Sequence, residues 1–245
     1  MSVEKNRVTI LQVPFHGITV QNALDILHSY LLSERNHLVV TPNPEAVMIA
    51  QRDKNYLKIL QSADLVLADG IGIVLAARWK RGYMPSRVRG CDTTLALINT
   101  NKNCSFYFLG AAPGVAETAR DKLKKQGFNI VGARDGYFDA ETERIIIEEI
   151  QALKPDVLLV GMGMPRQEEW AAANLHTLPC KITLCIGGTI DILAGNVKRA
   201  PKIMRDLGLE WLYRLVCNPS RAKRMLDLPR FTWAVLTEPK QMFRT

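Results

Sequence analysis

The chain has 245 residues, 47% of them hydrophobic, and a formal net charge of +8. That is long enough to bury a sizeable core, as one large domain with an appendage or as two domains. No apolar run approaches the roughly 18–20 residues that span a bilayer, and the five cysteines (Cys91, Cys104, Cys180, Cys185, Cys217) show neither CxxC nor a zinc-like spacing, so they read as reduced thiols.

In chain order, the first fifteen residues mix Glu4, Lys5 and Arg7 with a short apolar run and do not read as a signal peptide. Residues 8–13 are expected to form a strand and 20–32 a helix, with Ala23, Leu24, Leu27, Tyr30 and Leu31 near helical spacing. Residues 37–40 form a short strand stopped by Thr41-Pro42-Asn43-Pro44, and 45–51 and 55–61 look helical. A strand at 65–68 leads into Asp69-Gly70 and a helix at 72–81, and 93–99 adds another helix. A regular series follows: strands at 106–109, 130–133, 157–160 and 182–186, separated by helices at 115–126, 141–153 and 167–174. This alternation predicts an α/β fold, a Rossmann-like parallel sheet with helices on both faces.

Past Ala200 the pattern changes. Pro201, Pro219, Pro229 and Pro239 punctuate short helical pieces carrying Trp211, Tyr213, Phe231, Trp233 and Phe243 as exposed-looking aromatics. From Trp211 to Thr245 seven Lys/Arg face two acids, a net of +5, whereas the first 210 residues carry the remaining +3. The expected division is an α/β body at 1–200 and a basic, aromatic helical appendage at 201–245. Such a tail suits nucleic acid, an anionic membrane surface or an anionic substrate.

Small and polar residues gather where strands end: Thr41 and Asn43, Asp69 and Gly70, Gly110, Gly136 and Tyr137, Gly161 and Gly163, and Gly187-Gly188-Thr189. Open α/β sheets hold their ligands at that edge, where glycine lets a ligand approach the backbone and helix N-termini favour anions. Several such junctions on one edge point to a phosphate or nucleotide site. Gly70-Ile71-Gly72 and Gly161-Met162-Gly163 both lack the third glycine of a dinucleotide fingerprint, and there is no GxxxxGK[ST]. There is also no DxD pair to hold a divalent ion against a sugar nucleotide, so leaving-group charge falls to arginine, lysine or backbone amides. Asp69 reads either as a catalytic base presented by a strand end or as a turn or helix cap. His16, His28, His37 and His176 form no triad and are taken as structural or surface residues.

Thr41-Pro42-Asn43-Pro44-Glu45, Ala68-Asp69-Gly70-Ile71-Gly72, Phe108-Leu109-Gly110 and Gly136-Tyr137-Phe138 occur in that order. They are followed by Gly161-Met162-Gly163-Met164-Pro165-Arg166-Gln167-Glu168, by Ala200-Pro201 and by Leu209-Glu210-Trp211-Leu212-Tyr213-Arg214-Leu215. Together, over residues 8–230, this set resembles the WecG/TagA/CpsF glycosyltransferases, and most of all the TagA branch of wall teichoic acid synthesis. The resemblance implies an inverting, metal-independent transfer of N-acetylmannosamine from its UDP derivative. The implied acceptor is the 4-hydroxyl of N-acetylglucosamine on undecaprenyl diphosphate. It also implies a peripheral protein on the inner face of the cytoplasmic membrane, with no cofactor and no nucleic acid partner. Self-association is implied when the tail is disengaged.

Carried onto this chain, the resemblance makes Asp69 the base that takes the acceptor's proton. Thr41 and Asn43 stand beside it to bond sugar hydroxyls or an N-acetyl group, against an Asx turn for Asn43. Arg87 is preferred over Arg89 as the arginine that assists the diphosphate, against a solvated surface charge. Gly110, Gly136, Gly161 and Gly163 line the nucleotide edge. Gln167 reaches the nucleotide or sugar, Tyr137 stacks on uracil, and Asp191 accepts from uracil or ribose. The rival roles are a polar helix start for Gln167, a core aromatic for Tyr137 and a cap for Asp191. Arg214, Arg221 and Arg224 share a face if their helix runs unbroken past Pro219, and they resemble tail arginines that close over a diphosphate. Trp211, Leu212, Leu215, Trp233 and Phe243 supply apolar contact with lipid or the body.

Three rivals stand beside this reading. A Rossmann-type oxidoreductase lacks its fingerprint. A non-enzymatic basic module lacks a nucleic-acid motif. A member of the same family with another donor, UDP-N-acetylmannosaminuronate or UDP-glucose, differs by only a few sugar contacts.

Overall fold

In the computed structural model the described residues are 7–219 and 222–238, the side chains of Arg214 and Lys223 excepted. The expected α/β sheet is present. Strands β3 (His37–Val40), β4 (Leu65–Val66), β5 (Phe106–Gly110), β6 (Ile130–Arg134), β7 (Val157–Gly161) and β8 (Ile182–Cys185) form one six-stranded sheet in the order β4-β3-β8-β7-β5-β6. Every pairing in it is parallel. All the strand ends singled out above therefore lie on one edge.

Both faces of the sheet are covered, which is why its strands read as continuous apolar runs. The period of two sorts them. Phe106, Phe108, Leu159 and Leu184 face the helices α1 (Val20–Leu31), α5 (Gly90–Thr100), α6 (Val115–Lys125) and α9 (Thr189–Ala194). On the other face Leu38, Val40, Val66 and Ala68 pack with α2 (Pro44–Arg52), α3 (Lys54–Ser62) and α4 (Ile71–Trp79). Tyr107, Leu109, Leu158 and Val160 pack with α7 (Ala140–Leu153) and α8 (Arg166–Asn174). Each fully buried leucine or phenylalanine here contributes about 1.5–3 kcal/mol.

Residues 8–13 do not form the single expected strand. They fold into an antiparallel hairpin of β1 (Arg7–Ile10) and β2 (Val13–His16), turning at Leu11 and Gln12. Both turn residues have positive φ, 45° and 67°, a conformation that two-residue hairpins usually give to Asn or Gly. Tertiary contacts hold it. Leu11 N–H donates to Glu238 Oε2 at 3.2 Å, while Gln51 and Gln61 donate to the carbonyls of Leu11 and Gln12 at 2.6 and 3.0 Å. The hairpin also closes the sheet's edge: Val66 N–H donates to buried His16 Nδ1 at 3.0 Å.

Beyond Ala200 the chain forms α10 (Lys202–Asp206), α11 (Glu210–Cys217), α12 (Ala222–Met225) and α13 (Asp227–Thr237). None of these belongs to the sheet layers just described. α13 packs on α2 and α4 through Phe231 and Val235, which are buried in the core. Phe231 is therefore not the exposed aromatic that the sequence suggested, whereas Trp233 is 71% exposed. Both ends of α13 are tied to the body, by Arg52 on Asp227 at 2.8 Å and by a close Lys80–Glu238 pair. No helix among the described residues is long and apolar enough to cross a membrane.

Gly110 pairs directly with Gly161 across β5 and β7, at φ +144°, and a Cβ there would lie 2.3 Å from the Gly161 carbonyl oxygen. Gly110→Ala is expected to lower unfolding free energy by about 2–3 kcal/mol, read from denaturant midpoints. Burial, with the Arg7 guanidinium nearby, pushes His16 down to about 4. The unfolded chain then takes up this proton first, so stability falls as pH drops from about 6.5 towards 4. Wild type should lose on the order of 2 kcal/mol more than His16→Gln across that window, measured as paired denaturant melts.

Candidate active site

Backbone hydrogen bonds assemble the site at the carboxyl ends of β3 and β4. β4 is paired over two residues, but its chain runs on beside β3: Leu67 N–H donates to the Val40 carbonyl at 2.9 Å and Asp69 N–H to that of Pro42 at 3.3 Å. Val88 N–H donates to the Ala68 carbonyl at 3.1 Å. The first two bonds hold Asp69 against the Thr41–Pro44 turn, and the third brings up the loop of Arg87 and Arg89. A Cβ on Gly72 would lie 2.8 Å from Pro44 Cγ, so the turn after Asp69 fits this proline only as glycine.

Asp69 does not cap α4. Gly70 is that helix's N-cap, and no side chain bonds there. Asp69 Oδ2 instead accepts a 3.4 Å hydrogen bond from Gly90 N–H, the first residue of α5. The carboxylate thus faces a helix N-terminus, which favours negative charge.

A cavity of about 240 Å³ opens at this point. Asn43, Asp69, Arg87 and Arg89 line it, and so do Arg199, Glu210 and an apolar wall of Ile71, Trp211, Leu228 and Phe231. Asn43 is the N-cap of α2, its carbonyl oxygen accepting from Ala46 N–H at 3.0 Å. That side-chain oxygen, Oδ1, is committed to the helix start, as the local-turn alternative for Asn43 implies, and the amide NH2 is a separate donor. Arg87 donates to the Arg205 carbonyl in a close contact. Burial and the neighbouring Arg89 lower its pKa, and Asp69, Glu210 and Asp92 partly offset this; a guanidinium stays charged throughout. Arg89 pairs with Asp92 at 3.2 Å and with Asp206 at 3.4 Å.

The other expected residues lie elsewhere on the edge. Thr41 is next to the cavity but spends its hydroxyl on the Cys185 carbonyl at 3.1 Å, bracing β3 to β8. Gln167 is buried. Its Oε1 accepts from Gly163 N–H at 3.3 Å and Gly187 N–H at 3.1 Å, and its Nε2 donates to Glu168 at 2.7 Å. It is a strap between the turns after β7 and β8. Burial pushes Glu168 beside it up to about 7. Gly110 is closed off by the Gly161 backbone and Gly161 by the Gly187 carbonyl and Ile190, and Gly136 lies against Met162 and Gly110, whereas Gly163 faces open space. Tyr137 is 73% exposed, so the core-aromatic reading fails and its ring is free to stack. Asp191 lies in the first turn of α9, half-buried.

Arg214 and Arg224 do not share one helix. α11 ends at Cys217 and α12 begins at Ala222. Arg214 is on α11, Arg221 lies outside the described residues, and Arg224 on α12 is exposed, its neighbour Met225 lining the cavity instead. Phe243 also lies outside the described residues. Arg199, Glu210 and Phe231 were not expected as site residues. Glu210 sits inside a quoted motif, and Arg199 precedes Ala200-Pro201 by one position, so an arginine beside that motif was the available signal.

Asn43→Ser keeps the cap and removes the amide NH2, because serine caps as well as asparagine. The variant should keep the wild-type melting temperature, measured by paired thermal melts.

The profile of the glycosyl transferase WecG/TagA/CpsF family matches residues 8–244. A curated relative from Bacillus subtilis (strain 168) is 34% identical over 237 residues, 95% of this chain and 92% of its own. One from Bacillus spizizenii is 35% identical over 88% of this chain and 89% of its own. One from Staphylococcus aureus (strain MRSA252) is 32% identical over 96% of each. All three carry the name N-acetylglucosaminyldiphosphoundecaprenol N-acetyl-beta-D-mannosaminyltransferase.

Proposed function

The chain belongs to the glycosyl transferase WecG/TagA/CpsF family, and we propose that it moves N-acetylmannosamine from UDP-N-acetylmannosamine to N-acetylglucosamine on undecaprenyl diphosphate. The step belongs to wall teichoic acid synthesis and inverts the anomeric centre. The observation that carries this reading is the meeting of Asp69 with Arg87 and Arg89 in one cavity at the ends of β3 and β4.

The chemistry follows from that arrangement. The acceptor's 4-hydroxyl oxygen forms a bond to C1 of the donor sugar as the bond from C1 to the phosphate oxygen breaks. Asp69 takes the hydroxyl proton. The departing UDP gains charge, which the fixed guanidinium groups of Arg87 and Arg89 stabilise in a partly desolvated site. Asn43 offers its amide NH2 to the sugar, and the wall of Ile71, Trp211 and Phe231 suits a ring face or an N-acetyl methyl. Tyr137 and the turns strapped by Gln167 serve the nucleotide farther along the edge.

The appendage from residue 201 onward supplies the cavity's second side and, in this reading, its contact with the membrane. Ile203, Leu207, Val216 and Trp233 are exposed apolar residues on it, and the sequence from 211 to 245 is basic. That combination suits an anionic surface such as the inner face of the cytoplasmic membrane.

The test is UDP release from UDP-N-acetylmannosamine, with a short-chain lipid diphosphate N-acetylglucosamine acceptor and EDTA present. Acceptor-dependent release is expected. Release from a different UDP-sugar alone overturns the donor assignment. Asp69→Asn should bind UDP as wild type does and lose about 10²–10⁴-fold in turnover; near-wild-type turnover overturns its role as base.

A further inference from the structure

Arg199 stands in the cavity lining with an unmet requirement. Its Nη2 is held in a close pair with Asp92, while its Nε is buried and has no hydrogen-bond partner among the described residues. A buried N–H left without an acceptor is destabilising. A guanidinium offers two donor edges, so a carboxylate behind it leaves donors for a second anion in front.

Asp92 is in the first turn of α5, and three arginines converge on its carboxylate. Arg89 is 3.2 Å away, Arg199 is in close contact, and Arg205 is 3.7 Å away. Arg205 is fixed in turn by its Nε bond to the Ala200 carbonyl at 3.0 Å, and Ala200 is buried. The segment carrying Arg199 is therefore clamped to the loop carrying Arg87 and Arg89. Three guanidinium groups, Arg87, Arg89 and Arg199, line one cavity with Asp69. The other acids on the lining are Glu45 and Glu210, so the bare cavity is balanced in formal charge and an arriving diphosphate has three cationic groups to meet.

Resting on the function proposed above, we propose that Arg199 binds the diphosphate of the UDP leaving group through the guanidinium donors that Asp92 leaves free, and that Asp92 is the positioning residue that aims it. Asp92 acts from behind as a fixed counter-ion. It neutralises part of the arginine cluster, which keeps the guanidinium groups close without a ligand, and it orients Arg199 towards the cavity. Because the leaving group is more negative after bond cleavage than before, a pre-aimed guanidinium favours the transition state over the bound donor.

The experiment is calorimetric titration of the full chain with three probes, UDP, uridine and inorganic pyrophosphate, for wild type and four variants. Wild type should bind UDP far more tightly than uridine; equal affinities overturn the functional reading itself and this proposal with it. Arg199→Gln should weaken UDP and pyrophosphate binding by tenfold or more and leave uridine binding unchanged. Arg199→Lys keeps the charge and guards against a folding defect. It should still weaken UDP, because an ammonium lacks the planar fork that can hold Asp92 and a diphosphate together. A wild-type UDP affinity in both Arg199 variants, with discrimination over uridine intact, overturns this proposal alone. Equal losses for UDP and uridine also overturn it. Asp92→Asn should weaken UDP binding in the same direction, and Asp92→Glu should restore part of it. Tighter UDP binding in Asp92→Asn would show Asp92 to be a competing anion and overturn its positioning role.

Discussion

The site depends on a short length of extended backbone just beyond the last paired residues of β4. Leu67 and Asp69 keep donating to the neighbouring chain after the ladder has ended, and Ala68 accepts from Val88. Those bonds fix three separate segments within one neighbourhood. They also leave the Asp69 side chain at the end of a strand and facing the first turn of α5. Remove that backbone register and Asn43, Asp69 and Arg87 belong to three unrelated loops.

The edge of the sheet divides by function. At its β5–β7 end, glycines meet one another across the strands and a buried glutamine straps two turns together. That half is closely packed, with Gly163 and Tyr137 left open to the outside. At the β3–β4 end the polar groups are charged, and the cavity is closed on its far side by α11, α12 and α13 rather than by the sheet. A nucleotide lying along the edge thus meets firm turns at one end and an arginine-lined cavity at the other.

Much of this was legible in the sequence. The alternation of elements gave every strand of the sheet, because parallel strands buried on both faces are nearly continuous apolar runs. Asp69 was legible because an acid stands where such a run breaks. The hairpin at Leu11 and Gln12 was not, because its turn carries no glycine or asparagine and is held by Gln51, Gln61 and Glu238 from distant parts of the chain. Gln167 was legible as a residue of interest but not as a strap, since its partners are backbone amides of two different turns. Arg199 was hidden for a related reason: what marks it is convergence on Asp92, more than a hundred residues earlier in the chain. Phe231 carried the opposite error, an aromatic in a basic stretch that packs inward.

Phe231 belongs at once to the hydrophobic core and to the cavity wall. A molecule that fills the cavity therefore touches a helix whose own docking completes the core. By thermodynamic linkage, any effect that filling the cavity has on the docking of α13 is matched by an equal effect of that docking on affinity for whatever fills it. A substitution that loosens α13 from the core therefore also acts on the wall of the cavity.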